Sequence, residues 1–138
     1  MKRISNIIED IENYPNVFKR ITTAKKLDDN IAYLMLDMPF PFSGRDYIIQ
    51  FVKDKSETDW VFSFKAVIHV DTPPNERFVR LINASGTWLI KPISNSETAV
   101  TYTWNGELLG DFPSWALPKA WKTQGNEIIE WLGAALNE

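Results

Sequence analysis

Apolar residues recur at Ile4, Ile7, Ile8 and Ile11. That i, i+3, i+4, i+7 spacing puts one stripe on a 3.6-residue period and predicts an amphipathic helix over residues 3–13. Asn13-Tyr14-Pro15 is expected to end it. The period then changes to two. Residues 18–27 and 31–38 read as the strands of a hairpin, with Asp28-Asp29-Asn30 as its turn. Residues 46–54 (DYIIQFVKD) predict a strand and 55–58 (KSET) a turn. In a further strand over 59–70, Trp60, Phe62, Phe64, Ala66, Ile68 and Val70 share one face. DTPPNE (71–76) is a loop, because two prolines exclude a central strand. Residues 77–91 predict another long strand, with Ser85-Gly86 as a bulge. PISNSE turns, and 97–105 alternate again with Thr98, Val100, Tyr102 and Trp104 on one side.

Two stretches break the alternation. PFPFSGRD (39–46) separates two strands. Its prolines interrupt the ladder and hold Met38 and Phe40 extended. Phe40 and Phe42, two apart, point the same way. Gly44 permits the turn, and Arg45-Asp46 is expected to pin the hairpin end as a cap or ion pair. NGELLGDFPSW (105–115) carries two glycines and the apolar Leu108, Leu109 and Phe112 in a loop. Residues 114–136 then predict a long helix capped by Ser114. Pro118 falls in its first turn, where amides have no intrahelical partner. Trp121, Ile128, Trp131, Leu132, Ala135 and Leu136 form a stripe of imperfect spacing. The order is therefore a short helix, about six antiparallel strands and a long helix. That is an α+β domain in which the terminal helix covers one sheet face.

The 138 residues suffice for one domain with a core, and neither linker nor repeat divides them. Fifteen basic against eighteen acidic side chains give a net charge of −3, which carries no footprint for nucleic acid. Lys19, Arg20, Lys25 and Lys26 read as a solvated face. The chain has no cysteine, so disulfides, thiol nucleophiles and thiolate metal sites are excluded. His69 is the single histidine and has no second ligand at metal spacing. No apolar run reaches membrane-spanning length and no signal-peptide pattern is present, so a cytoplasmic protein is expected. Six Trp, eight Phe and four Tyr point to a heavy core or a lined cavity.

Several segments, in order, resemble a START (steroidogenic-acute-regulatory-protein-related lipid transfer) domain of the Bet v 1-like helix-grip superfamily. They are DIENYPNVFKRI (10–21), PFPFSGRDY (39–47), ERFVRLINASGTWLIKP (76–92), TAVTYTW (98–104) and LLGDFPSWALPKAW (108–121). The resemblance covers nearly the whole chain. It implies a curved antiparallel sheet wrapped around the C-terminal helix, an apolar cavity between them, and a lipid or other apolar small molecule as ligand. No cofactor or metal is implied. Two departures stand out. The family's first helix and about three strands have no counterpart before residue 1. The strand 97–105 would then be an open edge, which fits a shortened gene product, a fragment, or a sheet closed by a homodimer. The arginine that some cholesterol-binding members bury in the cavity is replaced by Phe51.

The expected cavity residues are Phe40, Phe42, Phe51, Phe62, Phe64, Arg80, Tyr102, Trp104, Leu108, Leu109, Phe112 and Trp121. The aromatic rows equally suit plain core packing. Arg80, in an apolar run, would hold a ligand's polar head, pair with a carboxylate, or face solvent. Leu108, Leu109 and Phe112 would gate the pocket and touch a membrane surface transiently during exchange. Nothing assembles a nucleophile, base and oxyanion donor, so a non-enzymatic binding and transfer role is expected. The alternatives are an aromatase/cyclase-like enzyme on the same fold and a quinone-chaperone or toxin-like interaction protein.

Overall fold

The computed structural model describes residues 2–38, 42–69, 72–74, 77–109 and 112–137. Phe40, Val70 and Gly110 lie outside them. Helix α1 (Lys2–Glu9) buries Ile4, Ser5 and Ile8. It stops short of the expected residue 13. A 3₁₀ turn (Ile11–Asn13) follows, and Tyr14-Pro15 opens a short helix α2 (Tyr14–Val17) instead of ending one. Pro15 is tolerated there because the first turn of a helix needs no amide donor. The Tyr14 hydroxyl donates to the Ile8 carbonyl and ties this turn back to α1.

Seven strands follow: β1 (Ile21–Asp28), β2 (Ile31–Leu36), β3 (Arg45–Lys55), β4 (Trp60–Ala66), β5 (Val79–Arg80), β6 (Ala84–Pro92) and β7 (Thr98–Gly106). The sheet order is β1-β2-β3-β4-β6-β7, antiparallel throughout. The hairpin, its Asp-Asn turn and the strand before KSET stand as the alternation predicts. The inward positions of β4, β6 and β7 meet the helical layer. Phe62, Trp88 and Ile90 are buried there, with Ile128 and Leu132 of the long helix α3 (Leu117–Leu136).

Four readings of the sequence need correction. The strand over 59–70 ends at Ala66, and Ile68 beyond it is 89% exposed. The strand over 77–91 is two strands. Val79–Arg80 runs parallel to Arg45–Asp46, and β6 begins only at Ala84. The cause is Asp46, which is fully buried and draws Arg80 onto β3 as an ion pair with Nε–Oδ1 2.9 Å. Ser85-Gly86 is no bulge, because the ladder passes through it in register to Lys65-Phe64 and to Asn105-Trp104. A Cβ on Gly86 would lie 2.4 Å from Cζ of Phe64 and 2.6 Å from the Thr103 carbonyl. The glycine is there for close packing. Finally, Ser114 does not cap α3. It opens a 3₁₀ turn (Ser114–Ala116), and Ala116 precedes the helix without a side-chain cap. Pro118 does sit in the first turn.

Candidate functional site

Arg45 and Asp46 are adjacent on β3 and therefore project to opposite faces. They do not pair with each other. On the outer face Asp46 accepts from Arg80 and from the Tyr33 hydroxyl, and Arg80 also donates to the Thr72 and Pro73 carbonyls. Arg80 therefore serves a structural pair away from the interior, the carboxylate alternative of the three. On the inner face Arg45, fully buried, donates Nε to the Leu108 carbonyl and Nη2 to the Leu109 carbonyl, both at 2.8 Å. Its Nη1 reaches the Ser43 carbonyl. One guanidinium thus joins the end of the PFPFSGRD stretch to the loop before α3. Leu109 sits at φ 55°, a left-handed conformation costing about 1–2 kcal/mol in a residue with a side chain. The bond to Arg45 holds it there.

The same join is apolar as well as polar. Phe42 packs on Phe112 with ring centroids 5.1 Å apart. Both line a groove of about 600 Å³ with Leu36, Met38, Leu108, Trp115, Ala120 and Trp121. Leu108 itself is buried, whereas Trp115 is 84% exposed on the groove wall.

Behind the groove, between the sheet and α3, lies a small interior space, here called the cavity. Phe51, Phe64, Tyr102, Trp104 and Trp121 are among its lining residues. So are Tyr14, Phe18, Tyr47, Trp88, Gln124 and Trp131, which the sequence did not single out for it. The missed signal is on α3. Trp121, Gln124, Ile128 and Trp131 are one helical stripe once the polar Gln124 is counted in. Phe62 is buried beneath the cavity and stacks on Phe51 at 6.0 Å. Leu109 and Arg80 are not among the lining residues of either space.

The two spaces share Arg20, Leu36, Trp121 and Gln124. Their common wall is held by three polar links from α3, two to β7 and one to Arg20 just before β1. Trp121 Nε1 donates to the Gly106 carbonyl at 3.1 Å, Gln124 Nε2 to the Tyr102 hydroxyl at 3.0 Å, and Arg20 pairs with both oxygens of Glu127 at 2.8 and 3.1 Å. The hydrogen bond to Glu127 pushes the Arg20 pKa up despite partial burial. The cavity volume is about 60 Å³. That admits a few water molecules, while drug-sized ligands occupy roughly 300–1,000 Å³. The groove falls in that range, and the closed interior does not.

Burial pushes up the hydroxyls of Tyr14, Tyr47 and Tyr102, and Tyr33 is raised to about 12 by burial and then by its bond to Asp46. An unfolded chain ionises these phenols near 10.0, so above that pH it releases protons that the folded chain keeps. Stability is therefore full below pH 10 and falls as pH rises towards 12. The expected loss is on the order of 1 kcal/mol per buried phenol at pH 11. Urea midpoints between pH 9 and pH 11.5 should fall accordingly, and Tyr47→Phe should make the fall shallower. A flat midpoint would contradict the buried tyrosines.

Together, the sheet wrapped on a terminal helix and the apolar seam between them define a helix-grip protein. A START-domain family profile matches residues 6–136, and the chain belongs to that family. It is 30% identical over 87 residues to an uncharacterized protein of Pseudomonas aeruginosa, a match spanning 63% of this chain and 43% of that protein. Three solved structures share the fold. The STAR-related lipid transfer protein of Xanthomonas axonopodis superposes with a TM-score of 0.87 at 21% identity, over 99% of this chain and 79% of that one. Human StAR-related lipid transfer protein 5 gives 0.81 at 15%, over 97% and 70%. The di-domain ARO/CYC BexL gives 0.65 at 15%, over 99% and 43%. Among the described residues no helix is long and apolar enough to cross a membrane.

Proposed function

We propose that the chain binds a lipid or similar apolar molecule at the seam between its sheet and α3. The body of the ligand lies in the groove and its leading end in the interior cavity. The observation that carries this reading is the adjacency of the two apolar spaces, which share Arg20, Leu36, Trp121 and Gln124 in their linings. Membership of the START family supports it. The chemistry of the lining favours binding over catalysis. Its phenols are held protonated, and its charged groups among the described residues beyond the lone Lys119 at the groove rim are the mutually paired Arg20 and Glu127. Phe42, Leu108, Phe112 and Trp121 would contact the ligand in the groove, and Phe51, Phe64, Tyr102 and Trp104 would contact it inside.

Trp115, exposed beside Lys119, would touch the membrane while a ligand is exchanged. A sheet edge favours a homodimer in addition. Nine-residue β7 has no second strand partner among the described residues and no charged side chain. The other edge, β1, carries Lys25, Lys26 and Asp28, two register shifts and a cover of helical turns. Only β1 shows the usual protections of an edge.

A groove-filling substitution tests the site. Ala120→Trp adds an indole to the groove wall without entering the core. It should weaken binding of a fluorescent phosphatidylcholine at least about tenfold, about 1.4 kcal/mol, with the thermal midpoint unchanged. Trp115→Ala should slow uptake of the same probe from vesicles by a larger factor than it weakens equilibrium affinity. Wild-type affinity in Ala120→Trp would remove the groove from the account.

A further inference from the structure

We infer that the ligand carries one uncharged hydroxyl, seated between the indole of Trp104 and the side-chain amide of Gln124. This rests on the cavity being a ligand site, as proposed above. Two buried polar atoms of the cavity lining have no hydrogen-bond partner among the described residues: Trp104 Nε1, a donor, and Gln124 Oε1, an acceptor. An unmade buried hydrogen bond costs about 1–3 kcal/mol, and native structures hold few of them. Two in one apolar cavity, of opposite polarity, mark the place of a polar atom that comes from outside the chain.

Both groups are fixed. Trp104 is packed by Tyr47, Phe64 and Trp121 with ring centroids 6.0, 5.6 and 5.4 Å away. Gln124 is held by the bond from its Nε2 to Tyr102, which leaves its carbonyl as the free end. Trp121, by contrast, has its own indole N–H satisfied at Gly106. A hydroxyl accepts from an N–H and donates to a carbonyl at once. A ketone or ester answers only the indole. A carboxylate or phosphate offers acceptors alone, faces the lone pairs of Gln124, and finds Arg20 already committed to Glu127. Burying that charge without a partner is unfavourable. The size of the interior agrees, since 60 Å³ holds the end of a molecule and the groove holds its body. The class indicated is a long-chain or polycyclic alcohol.

The test is a titration of delipidated full-length protein, followed by tryptophan fluorescence, with four probes of equal chain length: 1-decanol, 2-decanone, decanoate and decane. 1-Decanol should bind about tenfold tighter than 2-decanone, the equivalent of one hydrogen bond, and decanoate more weakly still. Gln124→Leu should weaken 1-decanol more than 2-decanone and so erase the preference for alcohol over ketone. Trp104→Phe should weaken both. The wild-type series decides the matter even if a variant fails to fold. If decane binds and the alcohol shows no advantage, or decanoate binds best, the hydroxyl inference is wrong and the apolar site stands. If none of the four binds, the site itself is wrong.

Discussion

Arg45→Met should be the most damaging single substitution on the inner face, lowering unfolding free energy by about 3–5 kcal/mol. Methionine keeps much of the volume and removes every donor. The Leu108 carbonyl then loses a buried donor, and the Leu109 and Ser43 carbonyls each lose a partly buried one. Hydrogen bonds to a charged group contribute about 1.5–3 kcal/mol each, and an abandoned carbonyl costs desolvation besides. Leu109 also loses what holds it at positive φ. The loop before α3 should loosen, taking with it the Phe42–Phe112 contact and the groove wall. Guanidinium denaturation gives the stability, and hydrogen exchange over residues 105–116 should speed up out of proportion to the rest of the chain. A stability loss below about 1 kcal/mol, within the range of an ordinary exposed residue, would show that Arg45 is not the clamp.

Gly86→Ala should cost about 2–3 kcal/mol, although alanine is the better strand residue by roughly 0.5–1 kcal/mol. The new methyl meets the Phe64 ring and the Thr103 carbonyl at distances that real contacts do not allow. The carbonyl belongs to a paired strand and cannot retreat, so the ring must move. Phe64 packs on Trp104 and Tyr102, which means the displaced ring enters the cavity. Stability and ligand affinity should therefore fall together. In a Phe64→Ala background the same substitution should cost less, a non-additivity expected of residues in contact. Full additivity would mean that the ring is not what Gly86 accommodates.

Both residues show where sequence reasoning reaches its limit. Alternation located the hairpin, β3, β4 and β7, because each has one buried face and a period of two leaves little choice of register. Arg45-Asp46 was visible as a charged strand opening. The adjacency that suggested a mutual pair is what sends the two side chains to opposite faces. Their partners, Leu108 at one side and Arg80 at the other, are 63 and 34 residues away in sequence. Nothing local encodes those distances. Arg80 in an apolar run was legible as a costly charge needing a partner, and its partner is protein. Gly86 was ambiguous because a strand glycine marks either a bulge or a close approach, and only the position of Phe64 decides. Gln124 was passed over because stripes are counted on apolar residues, so the polar member that faces the cavity falls outside the pattern. Of the expected cavity residues, Phe51, Phe64, Tyr102, Trp104 and Trp121 lie on the cavity, and Phe42, Leu108 and Phe112 on the groove. The aromatic rows contain Phe64, Tyr102 and Trp104, and periodicity does not say which rings border empty space.

The central claim is that the seam between sheet and α3 holds an apolar molecule. Native mass spectrometry of protein purified without detergent tests it most directly. The account predicts a mass above that of the bare chain, lost on solvent extraction and restored by adding back the extract. The extract should contain an uncharged alcohol. The same spectrum reports the edge of β7, where twice the chain mass is expected. A bare chain that also takes up none of its own cell's lipid extract would contradict the claim.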